Sequence, residues 1–205
     1  MSKRAFLALA TSWIPPLLLA FVACYPASGQ AGPHTAPVDL AQLVQSAQVI
    51  VRGQVLSAKI EPHPQFPNLR TVVVTLSVTK LLKGDAKPTL VFRQYIWDFK
   101  DVPSAAGYLK AGELLLFLNP VSTYGLTSPV GLDQGRFRVL SDDKGNRYAL
   151  NGRGNLGLFA QVAAKTEPHG ITFSKQAMAM LAKPAGKAPL SSLEEAIQAL
   201  ISVSP

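Results

Sequence analysis

The chain has 205 residues, of which 48% are hydrophobic and 16% are charged, and its net charge is +8. This length suits one ordinary domain with terminal extensions, and the apolar content suffices for a core, which excludes disorder along the whole chain. The cations are scattered with no run of four, so the sequence favours a solvated surface over the basic stripe of a nucleic-acid-binding protein.

The first 31 residues have the pattern of a secretory signal peptide. A basic start (MSKR), an apolar run from Ala5 to Cys24 and the small residues of ASGQA follow one another in the order that export signals show. Pro15 and Pro16 interrupt the apolar run, and a membrane-spanning helix tolerates such prolines poorly. We therefore predict export to the periplasm or the extracellular space. A single transmembrane helix is the alternative, because the run approaches the ~20 residues that a span needs.

Two routes of processing are open for this leader. The residues FVAC, which end at Cys24, resemble a bacterial lipobox, although Phe21 stands where leucine is usual. The small residues at 27–31 suit an ordinary signal peptidase, and we favour this route, which leaves the protein free. Acylation of Cys24 would instead anchor the protein to the membrane through a lipid. This lipid is the only attachment of the mature protein to a membrane that we predict. Cys24 is the only cysteine, which excludes an intramolecular disulfide.

A flexible lead-in and a short helix follow the leader. Residues 32–37 have no periodic apolar pattern, which predicts a flexible connection. Asp39 then has the character of a helix N-cap, and Leu40, Leu43 and Val44 form one apolar stripe behind it. The helix is short, so packing on the rest of the domain must stabilise it.

The clearest strand pattern lies at 71–79, where apolar residues recur at every second position (72, 74, 76 and 78) and predict a strand with one buried face. A strand at about 48–60 precedes it and contains Gly53. A glycine inside a strand indicates a bulge or bend, so we expect this strand to coil. The segment EPHPQFPN between the two strands holds three prolines and cannot continue a ladder, so it is predicted to be a loop.

The next strands are separated by loops of different length. A strand at 89–97 is followed by a long mixed loop at 98–112. Residues 113–118 are almost continuously apolar, which predicts a strand that is buried on both faces. A hairpin is expected over 130–150, with its turn at 142–146.

The C-terminal part of the chain divides into two segments. Residues 161–189 have weak patterning and are predicted to form an irregular extension. Residues 190–203 predict an amphipathic helix, with a capping box from Ser192 to Glu195 at its start. We expect this helix to dock on its own sheet rather than on another protein, because most amphipathic helices serve the core of their own domain.

Together these elements predict a mainly β fold, a small OB-like barrel of five or six strands over 38–160, with a short N-terminal helix and a C-terminal amphipathic helix. The segments AQVIVRGQV (47–55), the run from Val74 to Gly84 that ends in KLLKG, and LKAGELLLFL (109–118) carry a resemblance to known proteins. They resemble netrin-type modules, the N-terminal domains of the tissue inhibitors of metalloproteinases, and a group of exported bacterial proteins of unknown role. The similarity covers about half of the mature chain.

This resemblance implies a barrel fold but does not imply protease inhibition. The inhibitors chelate the zinc of a protease through an N-terminal Cys-x-Cys, and disulfides stabilise them, whereas this chain has neither feature. No functional residue of the family therefore carries over.

No group of residues predicts a catalytic, metal or cofactor site. His34, His63 and His169 lack the spacing of a zinc site and are interpreted as surface loop histidines. Glu113 could be a partly buried acid with a raised pKa, but no second acid lies near it in sequence. The DDKGN at 142–146 suits a hairpin turn better than a calcium loop. We therefore predict a protein that is not an enzyme, and an enzyme with dispersed active-site residues is the alternative.

Aromatic and cationic side chains around the long loop form the best candidate binding surface. Loops at the mouth of OB-type barrels bind ligands, and such side chains stack on sugars, bases or apolar protein surfaces. The candidate residues are Tyr95, Trp97, Phe99, Tyr108, Arg93, Lys100 and Lys110. The alternative interpretation is that the aromatic rings only fill the end of the barrel and bind no partner. We favour this interpretation for Tyr95 and Trp97. The expected partner is an extracytoplasmic protein or a saccharide, with polyanion binding as a further alternative.

Overall fold

A computed structural model describes residues 36–96 and 107–204. The predicted leader, Cys24 and most of the lead-in lie outside these residues, as do three candidate binding residues, Trp97, Phe99 and Lys100. The described residues belong to one unit, Thr35–Pro205. Within them, none of the helices has the length and apolar character that crossing a membrane requires.

An antiparallel sheet of seven strands forms the centre of this unit, which confirms the prediction of a mainly β fold. Its spatial order is β3-β2-β1-β4-β5-β6-β7. The strands are β1 (Val49–Pro62), β2 (Arg70–Lys83), β3 (Thr89–Tyr95), β4 (Glu113–Leu118), β5 (Arg136–Ser141), β6 (Arg147–Asn151) and β7 (Ala188–Pro189). The first half of β1 pairs with both β2 and β4, and its second half pairs only with β2.

Four helices pack on one face of the sheet. They are α1 (Leu40–Ser46), α2 (Val162–Thr166), α3 (Lys175–Leu181) and α4 (Leu190–Val203). Asp39 caps α1 as predicted: its side chain accepts a hydrogen bond from the Gln42 amide, and the Gln42 side chain accepts one from the Asp39 amide. Two donors that the helix would otherwise leave unpaired are thereby satisfied.

Two apolar cores lie on the two faces of the sheet. The helix-side core joins Ile50 and Phe137 to Leu193 and Ile197 of α4, so the C-terminal helix docks on its own sheet. The opposite-face core is built from β1 to β4, and its members include Val51, Val55, Val72, Val74, Leu76, Phe92 and Tyr108.

β4 contributes to both cores. Leu115 and Phe117 lie in the helix-side core, whereas Leu114, Leu116 and Leu118 lie in the opposite-face core. All five are buried, which confirms the prediction for this strand. The alternation follows from the period of two in strand side chains.

Gly53 lies at an irregularity of β1, as the sequence predicted. The pairing of β1 with β2 shifts register between Arg52 and Gly53. A Cβ atom at Gly53 would lie 2.3 Å from the Ser77 carbonyl oxygen and 2.9 Å from the Leu76 side chain. The close approach of β2 therefore requires glycine at this position.

The segment at 161–189 differs from the predicted irregular extension, because it contains α2, α3 and β7. Val162, Ala177 and Met180 bury their side chains in or beside the helix-side core. Ser174 caps α3 by accepting a hydrogen bond from the Ala177 amide. These helices are short, so their apolar residues are too few to form a clear periodic pattern in the sequence.

The predicted capping box from Ser192 to Glu195 is wrong. α4 runs over the predicted residues, Leu190–Val203, but its N-cap is Pro189, three residues before Ser192, and no side chain caps the helix. Ser192 is buried. The Glu195 carboxylate instead accepts hydrogen bonds from the Ser174 amide and hydroxyl, both at 2.7 Å. The apolar stripe of α4 fixes where the helix starts, and Glu195 stabilises the start of its neighbour α3.

Candidate functional site

A network of ion pairs on the sheet surrounds Glu113. Arg52 Nη1 lies 2.7 Å from Glu113 Oε1, and Arg147 pairs with the other carboxylate oxygen. Arg52 Nε lies 2.8 Å from Glu194 Oε1, and Lys80 Nζ lies 2.6 Å from Glu194 Oε2. The network joins β1, β2, β4 and β6 to α4.

The pKa of Glu113 is lowered, contrary to the sequence prediction. Burial acts to raise this pKa, but hydrogen bonds and charges from Arg147 and Arg52 outweigh it. The second acid of the network is Glu194, which comes from the C-terminal helix and could not be found near Glu113 in the sequence. A carboxylate between two arginines holds elements together and is a poor proton donor near neutral pH.

His63 is buried at the turn between β1 and β2, whereas the sequence suggested a surface histidine. Its side chain is 3% exposed. Its Nε2 lies 2.9 Å from the Tyr124 carbonyl oxygen, and its Nδ1 lies 3.2 Å from the Gln65 amide. Because the carbonyl only accepts and the amide only donates, this arrangement places a hydrogen on Nε2 and leaves Nδ1 as an acceptor.

Two exposed aromatic side chains pack beside His63. The Phe66 ring stacks on the His63 ring at 5.2 Å, and the Tyr124 ring meets Phe66 edge-on at 5.4 Å. Phe66 is 41% exposed and Tyr124 is 57% exposed. We call Phe66 and Tyr124 the aromatic pair. Sequence reasoning missed it because the two residues lie in different loops and no local pattern connects them.

Backbone hydrogen bonds hold both loops of the aromatic pair. The His63 amide donates to the Leu69 carbonyl at 2.8 Å, and the Leu69 amide donates to Phe66 at 2.8 Å. The Thr127 amide donates to the Arg93 carbonyl at 2.9 Å, which connects the loop of Tyr124 to β3. The two rings are therefore presented by fixed backbone.

Tyr108, a predicted binding residue, is buried in the opposite-face core and is only 1% exposed. The prediction that it is an exposed contact residue is wrong. Its hydroxyl donates to Gln94 Oε1 at 2.6 Å, and its ring meets Phe92 edge-on at 5.6 Å. Because Gln94 satisfies the hydroxyl, the whole side chain can be buried.

The other described candidates have separate positions. Arg93 Nη1 donates to Thr71 Oγ1 at 2.6 Å, and Arg93 Nη2 lies 3.3 Å from Glu61 Oε2, so this cation makes internal contacts. Tyr95 is half-buried on β3, whereas Lys110 is exposed. The described candidates thus do not form one surface.

A small pocket of about 280 Å³ opens beside the turn that precedes β4. Leu109 of that turn, Arg136 and Arg138 of β5, and Leu150 of β6 line it. We call it the arginine pocket. Arg136 and Arg138 alternate with Phe137 and Val139 in the sequence, but their contact with the turn depends on the fold.

No group of three or more histidine, cysteine or acidic side chains within 36–96 and 107–204 is arranged to hold a metal ion. Asp142 stabilises the turn that the DDKGN sequence at 142–146 forms. Its Oδ1 accepts hydrogen bonds from the Asn146 amide at 2.8 Å and the Lys144 amide at 3.0 Å. These bonds close the turn between β5 and β6, which confirms the hairpin prediction.

Comparison with known proteins gives no relative for this chain. No protein-family model matches it, and no curated protein or solved structure matches it at a significant level.

Proposed function

We propose that this protein is an exported, non-catalytic binding module, and that the aromatic pair is the centre of its contact surface. The observation that carries this proposal is the combination of exposure and fixed geometry at Phe66 and Tyr124. Both rings face solvent, yet a buried histidine and the backbone of two loops hold them. A surface that is ordered before binding loses less conformational entropy when a partner docks.

The partner of this surface is an extracytoplasmic protein or a saccharide. Aromatic rings contribute large contact area to protein interfaces, and their faces also stack on sugar rings. Trp97, Phe99 and Lys100, which lie outside the described residues, and Lys110 stay separate sequence-based candidates for contact with the partner.

The proposal includes an OB-like arrangement of the strands, similar to netrin-type modules. Two features support it: β1 to β4 contribute most of the opposite-face core, and the Thr127 amide reaches the Arg93 carbonyl across the side of β3 that faces away from β2. Export rests on the leader sequence. Release by ordinary cleavage and tethering through a lipid on Cys24 remain its two routes.

The test replaces the aromatic pair with alanine. The F66A/Y124A variant and the wild type are compared for proteins captured by cross-linking in an extracytoplasmic extract and for binding to a glycan array. We expect capture to fall by about tenfold or more, because central aromatic residues commonly contribute at least 2 kcal/mol at interfaces. Val91→Ala and Leu156→Ala are matched controls, since these side chains are 58% and 67% exposed.

Two results would decide against the proposed surface. Undiminished capture by a folded F66A/Y124A variant would contradict the role of the aromatic pair. A Trp97→Ala variant, measured in parallel, shows whether the segment at 97–106 carries the contact instead. If neither change reduces capture of any protein or glycan, the binding function itself is contradicted.

A further inference from the structure

The floor of the arginine pocket is the face of the β5–β6 hairpin that points away from the helices. Arg138 is the register partner of Leu150 on β6 and of Leu114 on β4. Leu114 belongs to the opposite-face core, whereas Phe137, the neighbour of Arg138, belongs to the helix-side core. Arg136 and Arg138 are two residues apart on one strand, so both point to the pocket face.

The contacts of Arg136 include an ion pair and a cation–π contact. Its Nη2 lies 2.5 Å from Asp133 Oδ1, and its guanidinium carbon lies 5.1 Å from the centre of the Tyr108 ring. A salt bridge on one side and a cation–π contact on the other hold the guanidinium in place. Asp133 also neutralises one of the two positive charges at the pocket.

Arg138 has a different environment from Arg136. It is exposed, and no hydrogen bond or ion pair joins its side chain to any other part of the chain that the structure describes. With Asp133 paired to Arg136, Arg138 carries a positive charge that no carboxylate among the described lining residues compensates. The planar guanidinium of arginine donates two parallel hydrogen bonds and matches the geometry of a carboxylate.

Two glycines of the pocket lining lie directly against the ion pair of Arg136 and Asp133. A Cβ atom at Gly107 would lie 2.7 Å from Arg136 Nη2, and one at Gly152 would lie 2.5 Å from the Asp133 Cβ. Any larger residue would displace Arg136 or Asp133. The arrangement of charges therefore depends on glycine at both positions.

The remaining lining is apolar. Leu109 is 61% exposed at the rim, and Leu150 lies half-buried in the floor. The volume of about 280 Å³ is just below the range of about 300–1,000 Å³ that is usual for small-molecule sites. A small acid or one acidic side chain fits this space.

We propose that the arginine pocket binds a monocarboxylate with a short apolar body. The carboxylate pairs with Arg138, and the apolar part contacts Leu109 and Leu150. The ligand is a free small acid or the carboxylate of a glutamate side chain on a partner protein. The inference is independent of the aromatic pair, because it depends on none of the same residues.

The test is a titration of the full-length, isotope-labelled chain, followed by NMR, with benzoate, butyrate, acetate and sulfate at constant ionic strength. We expect benzoate and butyrate to shift the amide signals of Gly107, Leu109 and Gly152 in a saturable manner. Acetate and sulfate should bind at least several-fold more weakly, because neither offers an apolar body.

The matched variants are Arg138→Gln and Lys144→Gln, which remove the same charge. Lys144 lies in the turn between β5 and β6 and does not line the pocket. R138Q should weaken benzoate binding by about tenfold or more, since charge-assisted hydrogen bonds are lost. K144Q should change it by less than about twofold, because exposed charges are screened by salt.

Three outcomes would overturn the proposal: no saturable shifts at the pocket, equal binding of benzoate and sulfate, or equal binding by R138Q and wild type. A capped peptide with one glutamate between glycines distinguishes the two sources of the carboxylate. Tighter binding of the peptide than of butyrate assigns the pocket to a partner protein. Weaker binding assigns it to a free acid.

Discussion

At the scale of single residues, backbone conformation depends on near neighbours in the chain, whereas burial of a polar side chain depends on partners from distant segments. Asp39 and Gly53 were identified correctly, because capping and strand irregularity depend on the residue and its near neighbours. His63 and Tyr108 were both expected at the surface and are both buried. Their burial depends on hydrogen-bond partners from distant segments, Tyr124 and Gln94, which no local pattern reveals.

The tight approach of β2 at Gly53 leads to a prediction for stability. Gly53→Ala should lower the free energy of unfolding by about 3 kcal/mol, because the new methyl group would collide with the Ser77 carbonyl. Urea unfolding measures this loss. Gly145→Ala is the control. Its φ of +79° is unfavourable for alanine, but the new Cβ atom would have no atom within 4 Å apart from its chain neighbours, so this variant should lose only about 1 kcal/mol. Equal losses in the two variants would contradict the steric explanation.

At the scale of elements, the long strands and the C-terminal helix followed from periodicity, whereas the short helices did not. β2 shows the predicted alternation, with Val72, Val74 and Leu76 buried on one face. The capping box assigned to α4 matched a local sequence motif, yet Glu195 acts on Ser174 instead. A motif of four residues indicates only which hydrogen bonds its side chains can form. In the fold, Glu195 forms its hydrogen bonds with Ser174 at the start of α3.

The contact of Glu195 with Ser174 leads to a prediction for α3. Glu195→Ala should remove two hydrogen bonds at the start of this helix and lower the stability by about 1–2 kcal/mol. Hydrogen exchange should become faster in Lys175–Leu181. Ser191→Ala, an exposed position on α4, is the control and should leave exchange in α3 unchanged. Unaltered exchange in the Glu195 variant would show that α3 does not depend on this contact.

At the scale of the whole molecule, the order of the strands and the ion-pair network could not be predicted from the sequence. β1 pairs with β4, although a long stretch of the sequence separates the two strands. Glu194 of α4 forms an ion pair with Arg52 in the same region. The sequence offered Glu113 as a solitary acid. The fold surrounds it with cations from two other strands, and this reverses the expected direction of its pKa shift.

This reversal predicts how stability depends on pH. The pKa of Glu113 is lower in the folded protein than its usual 4.5, so its contribution is fully present above about pH 4.5. The contribution is lost as the pH falls through the lowered value. Glu113→Gln should lose about 1–3 kcal/mol at pH 7 and show a flatter decline in acid. Urea unfolding between pH 3 and 7 measures both effects.

An arginine variant tests the cause of this pH dependence. Arg147→Gln removes one of the two cations beside Glu113, so the pKa of the carboxyl should return towards its usual value. The acid-induced loss of stability should then be smaller than in the wild type and complete at a higher pH, whereas its onset stays near pH 4.5, because the unfolded carboxyl sets it. A loss of unchanged size would show that Arg147 does not hold this carboxylate in its charged form.

The double role of β4 determines how the molecule unfolds. Its alternate side chains belong to different cores, so neither core can open while this strand stays in place for the other. Loss of the helices would expose Leu115 and Phe117 and so destabilise β4. Because β4 also contributes Leu116 to the opposite-face core, that core would be destabilised too. We therefore expect a single cooperative transition, in which fluorescence and circular dichroism report the same midpoint.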